Sequence, residues 1–197
     1  MTKTLYLMRH GQTLFNKRHR IQGWCDAPLT DLGGYQAQVA GQYFKNAGIT
    51  FDAAYSSTSE RACDTLEIVT NGSLPYQRVK GLKEWNFGTF EGESEDLNPP
   101  LPYEDFFVTY GGESQDQVRD RMAATILQLM QETKGKSVLM VSHGGAMANF
   151  ARAWEDNWQL DNLGHMTNCG ILKFSFEDDQ FYLEEAVDHD FSGWEEK

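Results

Sequence analysis

The apolar run Leu5-Tyr6-Leu7-Met8, within Lys3 to Arg9, stops abruptly at a cation, an imidazole and a glycine, Arg9-His10-Gly11. Unbroken hydrophobicity over so short a stretch predicts a strand buried on both faces, as in a parallel sheet. A second such run, Ser137-Val138-Leu139-Met140-Val141, ends with the same grammar in Ser142-His143-Gly144-Gly145 and leads into a helix containing Ala146 to Trp154. Phe51 to Ser56 and Tyr76 to Val79 read as shorter strands. Gly170 to Phe176 and Phe181 to Val187, joined at Glu177-Asp178-Asp179-Gln180, read as a closing hairpin.

Helical periodicity fills the intervals. Thr30 caps a helix to about Ala47, with Leu32, Ala37, Val39, Ala40 and Phe44 on its apolar face. Ser57-Thr58-Ser59-Glu60 has capping-box spacing and opens a helix through about Thr70. Ser114 to Gln117 repeats that spacing before a helix to about Glu132, whose Val118, Met122, Ile126, Leu129 and Met130 share a face. Two stretches fit neither period. Gly11 to Leu29 is polar and turn-rich, a loop holding the basic cluster Lys17-Arg18-His19-Arg20. Glu91 to Gly112 carries six acidic residues, no Lys or Arg, three prolines and four aromatics, and is expected to be a lid inserted over the site.

Composition narrows the class. A chain of 197 residues, 40% hydrophobic and 23% charged, fits one domain, residues 1–197, with a sizeable core. No apolar stretch approaches the roughly 20 residues that span a bilayer, and no secretory signal opens the chain, so a cytoplasmic protein is expected. Cys25, Cys63 and Cys169 are odd in number and form no Cys-x-x-Cys pair, which suits reduced thiols. A formal charge of −12 disfavours nucleic-acid and anionic-membrane partners. The expected partner is a small phosphorylated substrate, bound by a monomer or a homodimer.

Ligands of open α/β sheets bind at the carboxyl ends of the strands, where both histidines fall. An isolated Arg-His-Gly also fits a histidine hydrogen-bonded into a strand end, so the chemistry depends on what else converges. Arg61 lies in the first turn of a helix, where the dipole disfavours a cation and an anion beside it would compensate. Arg9 and Arg61 have the forked donors that hold phosphate oxygens, and His143 adds a contact to developing charge. His10, neutral at one ring nitrogen with a backbone carbonyl holding the other N–H, is a nucleophile for phosphorus. Glu84, flanked by large apolar side chains in Leu82-Lys83-Glu84-Trp85, suits a general acid that later takes a proton from water. Asn16, Gln22, Gly23 and Gly144 offer amide or backbone N–H groups to phosphate oxygens. Two histidines and a glutamate also resemble a metal triad, but two guanidinium groups would repel the cation, so no metal is expected. His165 and His189 read as surface or packing residues.

These residues carry a resemblance. Leu7-Met8-Arg9-His10-Gly11-Gln12-Thr13 with Asn16, Gln22-Gly23-Trp24 through Thr30, Ser56-Ser57 through Arg61-Ala62, Glu84 with Phe87-Gly88 and Phe90-Glu91-Gly92, and Ser142-His143-Gly144 stand in the order of the histidine phosphatase superfamily. The chain resembles its phosphoglycerate-mutase-like branch. The resemblance implies a three-layer α/β/α sandwich with a mostly parallel mixed sheet, a phosphohistidine on His10, Glu84 as proton donor, a pocket of Arg9, Arg61 and His143, and no metal or other cofactor. Mutases of the branch clamp their substrate with a basic insert, whereas the corresponding segment here is acidic and aromatic. A phosphatase acting on small monoesters is therefore expected, with a cofactor-dependent phosphoglycerate mutase as the alternative. A non-catalytic phospholigand-binding module is the alternative of another class, although such a module has no need of the proton donor.

Overall fold

A computed structural model describes residues 2–164 and 166–195, so the expectation for His165 lies outside the described residues. Six strands, β1 (Lys3–Arg9), β2 (Ala53–Ser57), β3 (Gln77–Val79), β4 (Ser137–Ser142), β5 (Ile171–Glu177) and β6 (Gln180–Val187), form one sheet in the order β3-β2-β4-β1-β5-β6. The first four run parallel and the closing hairpin is antiparallel. The α-helices among the described residues are α1 (Leu14–Lys17), α2 (Asp31–Asn46), α3 (Glu60–Val69), α4 (Gln115–Glu132) and α5 (Gly144–Arg152).

The two unbroken apolar runs have the burial their pattern demands. Leu5, Leu7, Val138 and Met140 pack with Val118, Met122, Ile126 and Met130 of α4 and Met147 and Phe150 of α5. Tyr6, Met8, Leu139 and Val141 pack on the other face with Ala37, Ala40 and Phe44 of α2 and Ala62 and Leu66 of α3. Successive residues of one strand thus enter opposite cores, and the architecture is the expected α/β/α sandwich with a mostly parallel mixed sheet.

That topology positions the site. Strands β1 and β4 are neighbours, with Arg9 in register with Ser142, so His10 and His143 leave the sheet side by side. The helix after β4 joins the α4 layer, and α2, which follows β1, joins the opposite one. The gap between two such strands is the switch point at which α/β sheets bind ligands.

Three local expectations differ. The loop after Gly11 contains a helical turn, α1, because Thr13 caps it: Thr13 Oγ1 accepts from the Asn16 N–H and Asn16 Oδ1 from the Thr13 N–H. Helix α5 starts at Gly144, immediately after His143, and ends at Arg152, two residues short of the expected Trp154. The N-cap of α3 is Ser59, with no side-chain capping bond, since the Ser57 hydroxyl turns instead to His143. Residues 91–112 are anchored: Phe107 is fully buried and meets Trp85, Phe87, Phe90, Tyr103 and Phe106 with ring centroids 4.8–6.1 Å apart. Edge-to-face packing of this kind is worth about 0.5–1.5 kcal/mol per pair beyond area burial. No helix of the described residues is long and apolar enough to cross a membrane.

Candidate active site

The His10 ring is only 4% exposed, and its Nδ1 lies 2.7 Å from the Gly11 carbonyl oxygen. A carbonyl can only accept, so Nδ1 carries the proton and the lone pair is on Nε2. The backbone around it is pinned as well. His10 N–H donates to Ser142 O at 3.1 Å, while His10 O accepts from the Cys169 N–H at 3.3 Å and from Asn168 Nδ2 at 3.1 Å.

The His143 ring packs edge-on against His10 with centroids 5.2 Å apart, and its Nε2 is 2.8 Å from Ser57 Oγ. Burial pushes the pKa values of both rings well below the ordinary imidazole value of 6.5, with the Arg61 charge next for each and Arg9 in the same direction. Both rings are therefore neutral at neutral pH.

This carries a linkage consequence with a definite sign. An unfolded chain binds a proton at each histidine near pH 6.5 while the folded chain does not, so stability is full above that pH and falls as pH drops through it. The slope approaches about 1.4 kcal/mol per pH unit for each ring. The thermal midpoint of the free protein is expected to fall between about pH 7.5 and 5.5, less steeply in His143→Gln; an unchanged slope in that variant would refute the assignment.

Arg61 is fully buried in the first turn of α3, yet it is held by several acceptors. Nη1 donates to Cys25 O and Asp26 Oδ1, both at 2.9 Å, and Nη2 to Gly23 O at 2.8 Å. The Gln22 amide, with its nitrogen facing Thr13 Oγ1 at 2.6 Å, accepts from Arg61 Nε and Nη1 at 3.1 Å. Gln22 thus orients Arg61. Arg9 Nη1 donates to Met166 O at 2.5 Å, while Arg9 Nε and His143 Nδ1 are buried polar atoms with no partner among the described residues.

Glu84 is 7% exposed, but its carboxylate meets backbone amides rather than the expected apolar surroundings. Oε1 accepts from the N–H groups of Trp85 at 2.8 Å and Ala146 at 2.7 Å, and Oε2 from that of Gly145 at 2.9 Å. Two of these donors are the otherwise unsatisfied amides that open α5, a natural seat for a carboxylate. Small residues permit the approach: a Cβ on Gly145 would stand 2.9 Å from Glu84 Oε1, and one on Gly144 would stand 3.3 Å from Arg9 Nε. Four lone-pair sites with three amide donors leave one site on Oε2.

A cleft of about 850 Å³ opens over these groups. Arg9, Glu84, Gly144 and Gly145 line it, together with Leu101, Pro102 and Tyr103 of the inserted segment and Arg152 and Trp158. His10 and His143 are the chain neighbours of Arg9 and Gly144.

The structure thus brings together Arg9, His10, Arg61, Glu84, His143 and Gly144. Asn16 and Gly23 have different duties from those expected. Asn16 Oδ1 is taken by α1 capping, with Asn168 Nδ2 at 3.4 Å. The Gly23 N–H, expected to face a phosphate oxygen, instead donates to Glu91 Oε2 at 3.0 Å. Glu91 also accepts from the N–H groups of Trp24 at 2.7 Å, Cys25 at 3.0 Å and Phe87 at 3.1 Å, so its carboxylate occupies the anion-binding concavity of that turn. In the sequence Glu91 stands out only as part of a motif, because three of its four amide donors come from residues 23–25, far away along the chain, and leave no local signature. The Lys17 to Arg20 cluster does not line the cleft: Arg20 pairs with Ser94 in an isolated bridge and His19 Nδ1 lies 3.5 Å from Glu95. His189 packs on Tyr43 and Phe191, as a packing residue should.

The family model of the histidine phosphatase superfamily (branch 1) matches residues 5–189. The chain belongs to the histidine phosphatase superfamily. Among relatives in this superfamily, the 2,3-bisphosphoglycerate-dependent phosphoglycerate mutase of Brucella anthropi is 32% identical over 186 residues, covering 87% of this chain and 90% of its own. The crystal structure of a phosphoglycerate mutase from Bacillus anthracis str. Sterne superposes with a TM-score of 0.81 at 28% identity, covering 93% of this chain and 92% of that one. A phosphoserine phosphatase of Entamoeba histolytica, solved in complex with 3-phosphoglyceric acid, gives a TM-score of 0.74 at 29% identity, covering 94% of this chain and 97% of that one. The superfamily likeness thus spans mutases and phosphatases on nearly the whole fold.

Proposed function

We propose that the protein is a metal-independent phosphatase that hydrolyses small phosphate monoesters through a phosphohistidine on His10. The observation that carries the reading is the Gly11 carbonyl fixing the His10 proton on Nδ1, which leaves Nε2 free to attack. Arg9, Arg61 and His143 hold the phosphoryl oxygens, and the unpartnered Arg9 Nε and His143 Nδ1 are suited to an anion. In this reading the Ser57 hydroxyl, which accepts from the Ser59 N–H at 3.2 Å, gives its own proton to His143 Nε2, and the imidazole proton then stands on Nδ1.

In the first step Glu84 enters as the acid, its proton on the free site of Oε2; Nε2 attacks phosphorus, the bond from phosphorus to the alcohol oxygen breaks, and Glu84 Oε2 gives that oxygen its proton. In the second, water attacks the phosphohistidine, Glu84 takes the water proton, the phosphorus–nitrogen bond breaks, and phosphate leaves with His10 neutral again.

Hydrolysis is favoured over phosphate shuttling because Arg9 and Arg152 are the only Lys or Arg side chains lining the cleft among the described residues, and residues 91–112 supply none. The mutase reading is supported by the names of the relatives, with Arg152 as the available grip for a substrate carboxylate. Phosphate release should be followed from p-nitrophenyl phosphate, phosphoserine and 3-phosphoglycerate, beside isomerisation of 3-phosphoglycerate with and without a 2,3-bisphosphoglycerate primer. Release without primer is the expected result. Primer-dependent isomerisation with little release would establish the mutase, and saturable phosphate binding with no turnover would establish a binding module.

A further inference from the structure

Residues 81–86, which carry Glu84, include only the end of a 3-10 turn and otherwise lack regular secondary structure. Trp24 Nε1 donates to Glu84 O at 2.9 Å and Ser142 Oγ to Leu82 O at 2.8 Å, and most of the remaining hold comes from a pair of side chains elsewhere in the chain. Arg121 on α4 grips the Glu113 carboxylate with both arms of its fork, Nε to Oε1 at 2.8 Å and Nη2 to Oε2 at 2.9 Å. Its remaining three N–H groups go to backbone carbonyls: Nη1 to Gly81 O at 2.9 Å and Lys83 O at 2.8 Å, and Nη2 to Glu84 O at 3.1 Å. All five guanidinium donors are used. Glu113 completes the brace, with Oε2 accepting from the Asn86 N–H at 2.9 Å and its carbonyl from Trp85 Nε1 at 2.7 Å. Gly81, Lys83, Glu84, Trp85 and Asn86 are thereby tied to one ion pair. Both of its side chains are largely buried, and neither lines the cleft.

We propose that Arg121 and Glu113 are positioning residues for Glu84, and that their pair governs how well the enzyme expels a poorly acidic alcohol. The inference rests on the reading of Glu84 as proton donor. A guanidinium fork fixes direction as well as distance, which lysine cannot do. Misplacing a reacting group by about 1 Å costs about 100-fold. That loss falls only on reactions that need the proton: an alkoxide must be protonated to leave, whereas nitrophenolate leaves as the anion.

The test is kcat/KM, which reports the phosphoryl-transfer half, for p-nitrophenyl phosphate against an alkyl phosphate in Arg121→Lys and Glu113→Gln. Expected is a loss of about 30-fold or more on the alkyl phosphate and within about threefold on p-nitrophenyl phosphate. Glu113→Gln keeps an acceptor for the Asn86 N–H, so it gives an answer should Arg121→Lys fail to fold. Equal losses on both substrates, which a merely structural brace would give, overturn the proposal, as does no loss on either. Glu84→Gln separates the two levels. If it shows no leaving-group dependence, the assignment of Glu84 fails; if it does and the brace variants do not, only the brace fails.

Discussion

His10→Ala is expected to lower kcat/KM for every phosphate monoester by at least about four orders of magnitude, while the protein still folds. The loss is large because no other group in the site can replace Nε2: His143 is turned to Ser57, and Glu84 is saturated by amides on one oxygen. The fold survives because the strand end is held through the backbone of residue 10, by Ser142 O, the Cys169 N–H and Asn168 Nδ2, all of which alanine retains. Steady-state rates beside a thermal unfolding curve check both halves. A folded His10→Ala protein with near-normal turnover is incompatible with a phosphohistidine.

Glu84→Gln is the second large effect, and it acts on both half-reactions. Alkyl phosphates should lose about 10²- to 10⁴-fold in kcat/KM, the usual worth of a positioned proton donor, and p-nitrophenyl phosphate far less. Because water must still be deprotonated to clear the phosphoenzyme, kcat on p-nitrophenyl phosphate should also fall. Rapid mixing should then show a burst of nitrophenolate close to one per active site. A variant with neither burst nor leaving-group dependence would remove Glu84 from the proton path. Glutamine also turns an NH₂ towards one of the amides at the start of α5, so some loss of stability is expected alongside.

How much of this was legible without coordinates follows from how far each feature reaches. Strand β1 is found at Lys3–Arg9 as expected, because a run buried on both faces leaves its mark in consecutive residues. Helix α4 and its Ser114–Gln117 capping box are likewise written within one turn of chain. The pairing of His10 with His143 was visible as a repeated strand-end grammar, and the parallel register of β1 and β4 supplies the contact. Capping-box spacing at Ser57 misled, because a hydroxyl with two possible partners was claimed by a histidine 86 residues away. Gly23 misled for the same reason, its N–H being taken by a carboxylate 68 residues on. Glu91, Glu113 and Arg121 act through side-chain bonds to backbone groups of distant loops. Such bonds satisfy amides and carbonyls that irregular segments cannot pair internally, and which side chain does so is decided only when the loops meet.

Leu101, Pro102 and Tyr103 of residues 91–112 form a wall of the cleft, and the segment is fastened by Phe107 in the aromatic cluster. Its acidity leaves the cleft with few cations, and that balance separates the phosphatase reading from the mutase one.

The central claim, that phosphate passes through His10, is tested most directly by mapping the phosphorylated residue. Protein quenched in alkali during turnover of labelled substrate should carry an acid-labile, alkali-stable phosphate on the peptide containing His10, with none on His10→Ala. Label on another residue, or active enzyme that never acquires label, would contradict the account.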